Sequence, residues 1–300
     1  MNYFPVGGSG KIEVDGREIS LNKIKFKKSG NIDVVLDDLP YDFNYGSAVV
    51  LNGEIHILGG GSDKTKHYKW NKDTWTQVST LPYQYLNGSA VVLNGEIHIL
   101  GSKDANTKHY KWDGLTWEEV STLPYEFYFG SAVVLNGEIH ILGSNMAGSN
   151  EKHYKWDGNT WTKVSTLPYE FYWGSAIVYK NAIHILGSYS NPYYHYRWNG
   201  NTWTKVSTLP YQYLNGSAVV LNGEIHILGN GDYYDTSNSK KHYKWNGSTW
   251  ITISELPYVL TGGSAVVVDG KIVIIGGHHE GDILKYAILQ YPNYVLYIKW

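Results

Sequence analysis

An all-β ring of repeated sheets is the fold class this sequence predicts, and three observations predict it. The tripeptide Gly-Ser-Ala, followed by apolar residues, begins at Gly46, Gly88, Gly130, Gly174, Gly216 and Gly263, a period of roughly 42–47 residues. Each copy holds short alternating runs separated by tight-turn residues, the pattern of strands. The turn residues themselves repeat, as Asn52-Gly53, Asn94-Gly95, Asn136-Gly137, Asn222-Gly223 and Asp269-Gly270, and such pairs favour two-residue hairpins because both central positions need positive φ. Repeats of this length built only of strands suit a β-propeller, in which each sheet is one blade. Six copies predict six blades over residues 30–300, with residues 1–29 as an N-terminal arm.

The arm reads as a short β-hairpin. In KIEVDGREIS, from Lys11 to Ser20, two alternating runs flank Asp15-Gly16. A Lys-alternating run, KIKFKK, follows from Lys23, and Lys11 to Lys28 hold six basic and three acidic residues. That composition suits either a solvated edge strand whose lysines block further pairing or an attachment segment. Within a repeat, the copy starting at Gly88 predicts an inner strand Ser89–Leu93, a second strand Glu96–Leu100, a third strand Lys108–Trp112 and an outer strand Trp117–Ser121. Blade four departs from the turn pattern with Lys180-Asn181-Ala182. The last copy lacks a Trp-Thr outer strand, whereas Asn31–Tyr41 resembles an outer strand plus Leu-Pro-Tyr with no inner strands before it. Residues 31–38 are therefore expected to close the last blade, the alternative being residues 294–300.

With these motifs set out, the chain resembles the kelch-repeat β-propellers. Their motif is an apolar second strand ending in Gly-Gly, then a Tyr and a Trp six residues apart. The pairs Tyr68/Trp75, Tyr110/Trp117, Tyr154/Trp161, Tyr196/Trp203 and Tyr243/Trp250 match it. The glycine pair is intact at Gly59-Gly60 and Gly276-Gly277 but is Gly-Ser at Gly101, Gly143 and Gly187 and Gly-Asn at Gly229. The last copy lacks the Tyr/Trp pair. The resemblance implies a fold and leaves function open, since function lives in sites grafted on folds.

Composition narrows the function. Lys and Arg number 25 against 27 Asp and Glu, for a net charge of −2, so the basic excess that nucleic-acid binding needs is missing. Zero cysteines exclude disulfides, thiolate metal sites and cysteine nucleophiles. No apolar run approaches a membrane-spanning length of ~18 residues, and the start MNYFPVGGSG lacks the pattern of a secretion signal. No nucleic-acid contact, membrane insertion, metal or cofactor is expected.

Variation among the copies collects in two places: the link after Leu-Pro-Tyr and the loop after the second strand. In a four-stranded antiparallel blade both emerge on one face, around the channel mouth, which is how a scaffold presents a binding surface. Candidate contacts there are Tyr45, Tyr85, Phe129, Tyr172, Trp173, Tyr189, Tyr193, Tyr213, Tyr233 and Tyr234, with Asp42, Glu126, Glu170, Asn87 and Asn215 as polar partners. A short link alternates its side chains, so some of these must pack between blades. Flat aromatic faces beside carboxylates and amides suit sugar rings.

Ten histidines occupy two repeated positions: His56, His98, His140, His184 and His226 in second strands, and His67, His109, His153, His195 and His242 in third strands. Equivalent histidines of different blades are too far apart for one ion, given ligand distances of ~2 Å. They are expected to hydrogen-bond between blades. No nucleophile elbow or phosphate-cradling glycine loop occurs, so no catalytic residue is assigned.

Blades two and five share LPYQYLNGSAVVLNGEIHILG to the letter. Loops that diversify faster than their frame suit a receptor-binding protein. The reading is a non-enzymatic binding propeller for a surface glycan or protein receptor, mounted through residues 1–30 on a phage-tail-like particle as a virion component. The alternatives are a cytoplasmic kelch adaptor for a protein partner and, from the resemblance, a sugar-modifying enzyme such as the kelch-like epimerases of sialic acid.

Overall fold

The computed structural model describes residues 39–277 with their side chains, apart from 73, 230–238, 254 and 257–258. Beyond that span it describes the backbone of short strands between 11 and 34 and between 278 and 295. The chain is an all-β propeller. Five blades of one build cover 47–80, 89–122, 131–166, 175–208 and 217–255, each a four-stranded antiparallel sheet in sequence order. In the first, Ser47–Leu51, Glu54–Leu58, Lys66–Trp70 and Trp75–Thr80 run from the channel outward. The Asn-Gly turns take positive φ at both residues, 52° at Asn52 and 77° at Gly53, which matches the twist of the strands they join.

Each blade buries its faces against its neighbours, so the core is a series of layers between sheets. One layer joins Val49, Leu51, Leu58, Leu81 and Tyr85 of the first blade and its link to Ile97, Ile99 and Trp112 of the second. Burial of side chains of this size contributes about 1.5–3 kcal/mol each. A register shift between His67 and Tyr68, repeated at the same place in all five blades, leaves one residue of the outer strand unpaired. Such a bulge bends and twists the outer edge.

Where a sixth copy of this blade was expected, the chain forms a sheet of different build. Ser264–Val268 and Lys271–Ile275 repeat the inner hairpin, but the next strand of the sheet is Ala287–Tyr291, and a small hairpin, His278–His279 with Asp282–Ile283, comes between. Its inner strands pack against Ile55, Ile57 and Trp70 on one side and Val219, Leu221 and Leu228 on the other. The fourth strand of this sheet is Tyr294–Val295, paired with Gln290 and Tyr291. Of residues 31–38, expected to close the last blade, Ile32–Val34 pairs along one edge with Ile24–Phe26. Residues 35–38 lie outside the described residues. At the N-terminus, Lys11–Val14 pairs with Arg17–Ser20, Val14 opposite Arg17.

The histidines correct another expectation. His56 Nδ1 meets His67 Nε2 at 2.8 Å within one blade, and His67 Nδ1 meets Ser79 Oγ at 2.7 Å. The link between blades is made instead by Trp117 of the next blade, whose Nε1 donates to Ser79 Oγ at 2.9 Å. The same histidine pair recurs in all five blades, and the same Trp–Ser link joins each of the first four blades to the one after it. Among the described residues no group of three metal-ligating side chains forms.

Candidate binding face at the channel mouth

The link after each Leu-Pro-Tyr alternates inward and outward, and this decides which candidates reach the face. One position always points in: Phe43, Tyr85, Phe127, Phe171 and Tyr213 are all fully buried, and Leu260 takes the same place. Each ring lies against the glycine of Gly-Ser-Ala, so that a Cβ on Gly88 would come within 2.6 Å of the Tyr85 ring. Tyr85 and Tyr213 are therefore not contact residues. Their hydroxyls bond Ser47 and Ser175 of the preceding blade, each at 2.8 Å, and burial raises both well above the ordinary phenol range.

Two residues further on, the chain turns outward with positive φ: Tyr45 at 54°, Asn87 at 58°, Phe129 at 56°, Trp173 at 59°, Asn215 at 50° and Gly262 at 65°. These six line the channel mouth. Their backbones form a closed circle of hydrogen bonds, Asn87 to Tyr45, Phe129 to Asn87, Trp173 to Phe129, Asn215 to Trp173, Gly262 to Asn215 and Tyr45 to Gly262, each N–H donating to the carbonyl of the residue before it. Below the mouth the channel is lined first by the serines of Gly-Ser-Ala and then by valines. The cavity inside the mouth is about 110 Å³, well under the ~300 Å³ of pockets that engulf a small molecule. A ligand of that size has room across the face but not in the mouth itself, while the channel below widens to about 240 Å³ at the serines and about 390 Å³ at the valines.

The aromatic candidates gather in one sector of that face. Trp173 meets Phe129 edge to face with centroids 5.0 Å apart, and meets Tyr189 likewise at 5.3 Å. Tyr189 stacks on Tyr172, 5.7 Å apart and 24° from parallel, and is 58% exposed. Tyr128 packs on Phe129 at 4.3 Å, its hydroxyl bonding the Asn87 side chain, and burial raises its pKa. The Glu170 carboxylate accepts from Ser190 Oγ at 3.1 Å, which in turn meets Tyr172 Oη at 3.3 Å. Trp173 Nε1 is buried without a hydrogen-bond partner among the described residues.

The remaining candidates are dispersed. Tyr45 lies on the far side of the mouth with its ring against Gly262. Asp42 is half-buried near Gly61, and Glu126 is exposed. Tyr193 is exposed in the loop after Pro192, and Tyr233 and Tyr234 lie outside the described residues. Sequence reasoning did not find the left-handed circle. The signal was available, since Asn87, Asn215 and Gly262 share one position and are the residue types that most readily take positive φ.

No family model and no curated protein matches this chain. Among solved structures the chain is similar to YjhT, at 16% identity over 87% of this chain and 98% of that one, with a TM-score of 0.73. At that identity the likeness establishes a shared β-propeller fold.

Proposed function

We propose that this chain is a non-enzymatic binding propeller of kelch type, that the sheet at 264–295 serves as its sixth blade, and that the mouth face recognises a glycan by aromatic stacking. One observation carries the reading. At a backbone position where sister copies hold Asn or Gly, three copies hold Tyr45, Phe129 and Trp173 in the left-handed region. That conformation costs a bulky residue roughly 1–2 kcal/mol, and strain of this kind gathers where a side chain must be presented for function. The exposed Tyr189 and the half-buried Phe129, Tyr172 and Trp173 offer ring faces to the apolar C–H side of a sugar, and Glu170, Asn87 and Asn215 supply groups for its hydroxyls.

Binding of the full chain to a broad glycan array, with Trp173→Ala beside it, tests the proposal. Saturable binding that the variant loses is the expected result. Silence from a folded chain would move the reading to a protein partner, to be sought by pull-down. The proposal also assigns residues 1–30 to attachment on a larger, phage-tail-like assembly. Deleting them should leave ligand binding intact and abolish incorporation.

A further inference from the structure

The base of blade four, at the opposite end of the sheet from the mouth, departs from its sister blades in charge. In four blades the first residue of the second strand is a glutamate paired to a third-strand lysine: Glu54 to Lys69 at 3.0 Å, Glu96 to Lys111 at 3.1 Å, Glu138 to Lys155 at 2.8 Å and Glu224 to Lys244 at 2.8 Å. In blade four the glutamate is Ala182 and the lysine is Arg197. The register is unchanged, with Tyr179 opposite Ala182 and Arg197 opposite His184. A guanidinium therefore stands where its counterparts have a carboxylate beside them, and no carboxylate pairs with it among the described residues.

The adjoining turn adds a second cation. Lys180 takes the place of Asn52, Asn94, Asn136 and Asn222 and sits at φ 49°, a conformation that Asn tolerates better than Lys. Tyr179 takes the place of a leucine. It is 6% exposed, and its hydroxyl is buried without a hydrogen-bond partner. Lys180 Nζ lies 5.1 Å from the centre of that ring. Both groups border the turn of blade five, since a Cβ on Gly247 would be 3.8 Å from Tyr179 Oη and 3.7 Å from Lys180 Nζ. The same two turn positions meet elsewhere in the ring as Lys72 and Asp269, an ion pair of 2.8 Å. At the junction of blades four and five there is a lysine on one side and a glycine on the other.

We propose that the base of blade four binds a small oxyanion, a carboxylate or phosphate group, in the place of the missing glutamate. Arg197, exposed at this base, supplies a planar fork suited to two-point contact with either group, and the exposed Lys180 supplies a second positive charge.

The test uses the full chain titrated separately with sodium phosphate and sodium acetate at constant ionic strength. The Arg197 Nε–Hε NMR resonance and the melting temperature are both read, since a ligand that binds only the folded state raises the latter. Two variants accompany it: Arg197→Gln, and the double change Tyr179→Leu with Ala182→Glu, which restores the internal carboxylate of the sister blades. A saturable shift in the natural chain is expected, with affinity weakened at least about tenfold, or 1.4 kcal/mol, in both variants. The double variant should melt no lower than the natural chain, which separates lost binding from lost folding. Response to acetate identifies a carboxylate ligand, and response to phosphate alone identifies a phosphate. No saturable response to either anion overturns the proposal, and so does an equal response in the double variant.

Discussion

Tyr45, Phe129 and Trp173 share one left-handed backbone position with Asn87, Asn215 and Gly262, so the frame does not demand an aromatic there. Trp173→Asn removes a strain of about 1–2 kcal/mol while giving up edge contacts with Phe129 and Tyr189. The two effects offset, and denaturant unfolding should show a change within about 1 kcal/mol. Trp117→Ala is the contrast. Its ring packs on His67 across the blade interface and its Nε1 bonds Ser79, so its loss should cost ~3–5 kcal/mol. Equal losses at the two sites would place Trp173 in the core and remove it from the face. Gly130 has the opposite constraint, which is space. A Cβ there would meet the Gly143 carbonyl oxygen at 2.5 Å and the Phe127 ring at 2.4 Å. Gly130→Ala should destabilise by about 1–3 kcal/mol as overpacking, and a melt indistinguishable from the natural chain would refute that account.

At the scale of the element, the repeated bulge and the histidine relay belong together. The shift in register sets His109 opposite Ser121, and Ser121 Oγ then serves both His109 Nδ1 at 2.9 Å and Trp161 Nε1 of the next blade at 2.9 Å. Ser121→Ala leaves two half-buried or buried polar groups without their partner and should cost about 2–4 kcal/mol. A loss below ~0.5 kcal/mol, the usual surface value, would show that the hydroxyl is not shared. This relay also marks where the sequence stops being readable. Strand limits were legible because alternation and Asn-Gly turns are local signals, so Ser89–Leu93, Glu96–Leu100 and Lys108–Trp112 emerge as read. The partner of each histidine was not, because a bulge of one residue decides it and no local pattern announces the bulge. The same holds at the mouth. Link alternation was legible in principle, but Tyr85 and Tyr213 were placed on the face because the inward position accepts Phe, Tyr or Leu alike. Only packing against Gly88 and Gly216 shows which way they point.

At the scale of the molecule, the blades repeat not only a fold but a titration. The second-strand histidines, His56, His98, His140, His184 and His226, are each lowered to about 4, and the third-strand partners His67, His109, His153, His195 and His242 to about 3, first of all by burial. The hydrogen bond within each pair needs one ring to offer a lone pair, so both rings cannot carry the extra proton while that bond stands. An unfolded histidine titrates near ~6.5. Above that value neither state is protonated and the histidines add no pH dependence. Below it the unfolded chain takes up protons that the folded chain refuses, and stability falls by about 1.4 kcal/mol per pH unit for each histidine. For ten histidines the slope approaches about 14 kcal/mol per unit, as large as the whole stability of many domains. The ring should therefore be near its most stable at pH 7 and unfold cooperatively as pH falls from 6.5 toward 4. Urea melts between pH 7.5 and 4.5, set by these pKa values, would show the fall. Replacing one pair, His98→Gln with His109→Gln, should reduce the slope by about 2.7 kcal/mol per unit even if the variant is less stable throughout. Stability that stays flat from pH 7 to pH 5 would mean that the pairs admit a proton in the folded state, and the relay between blades would then have to be reassigned.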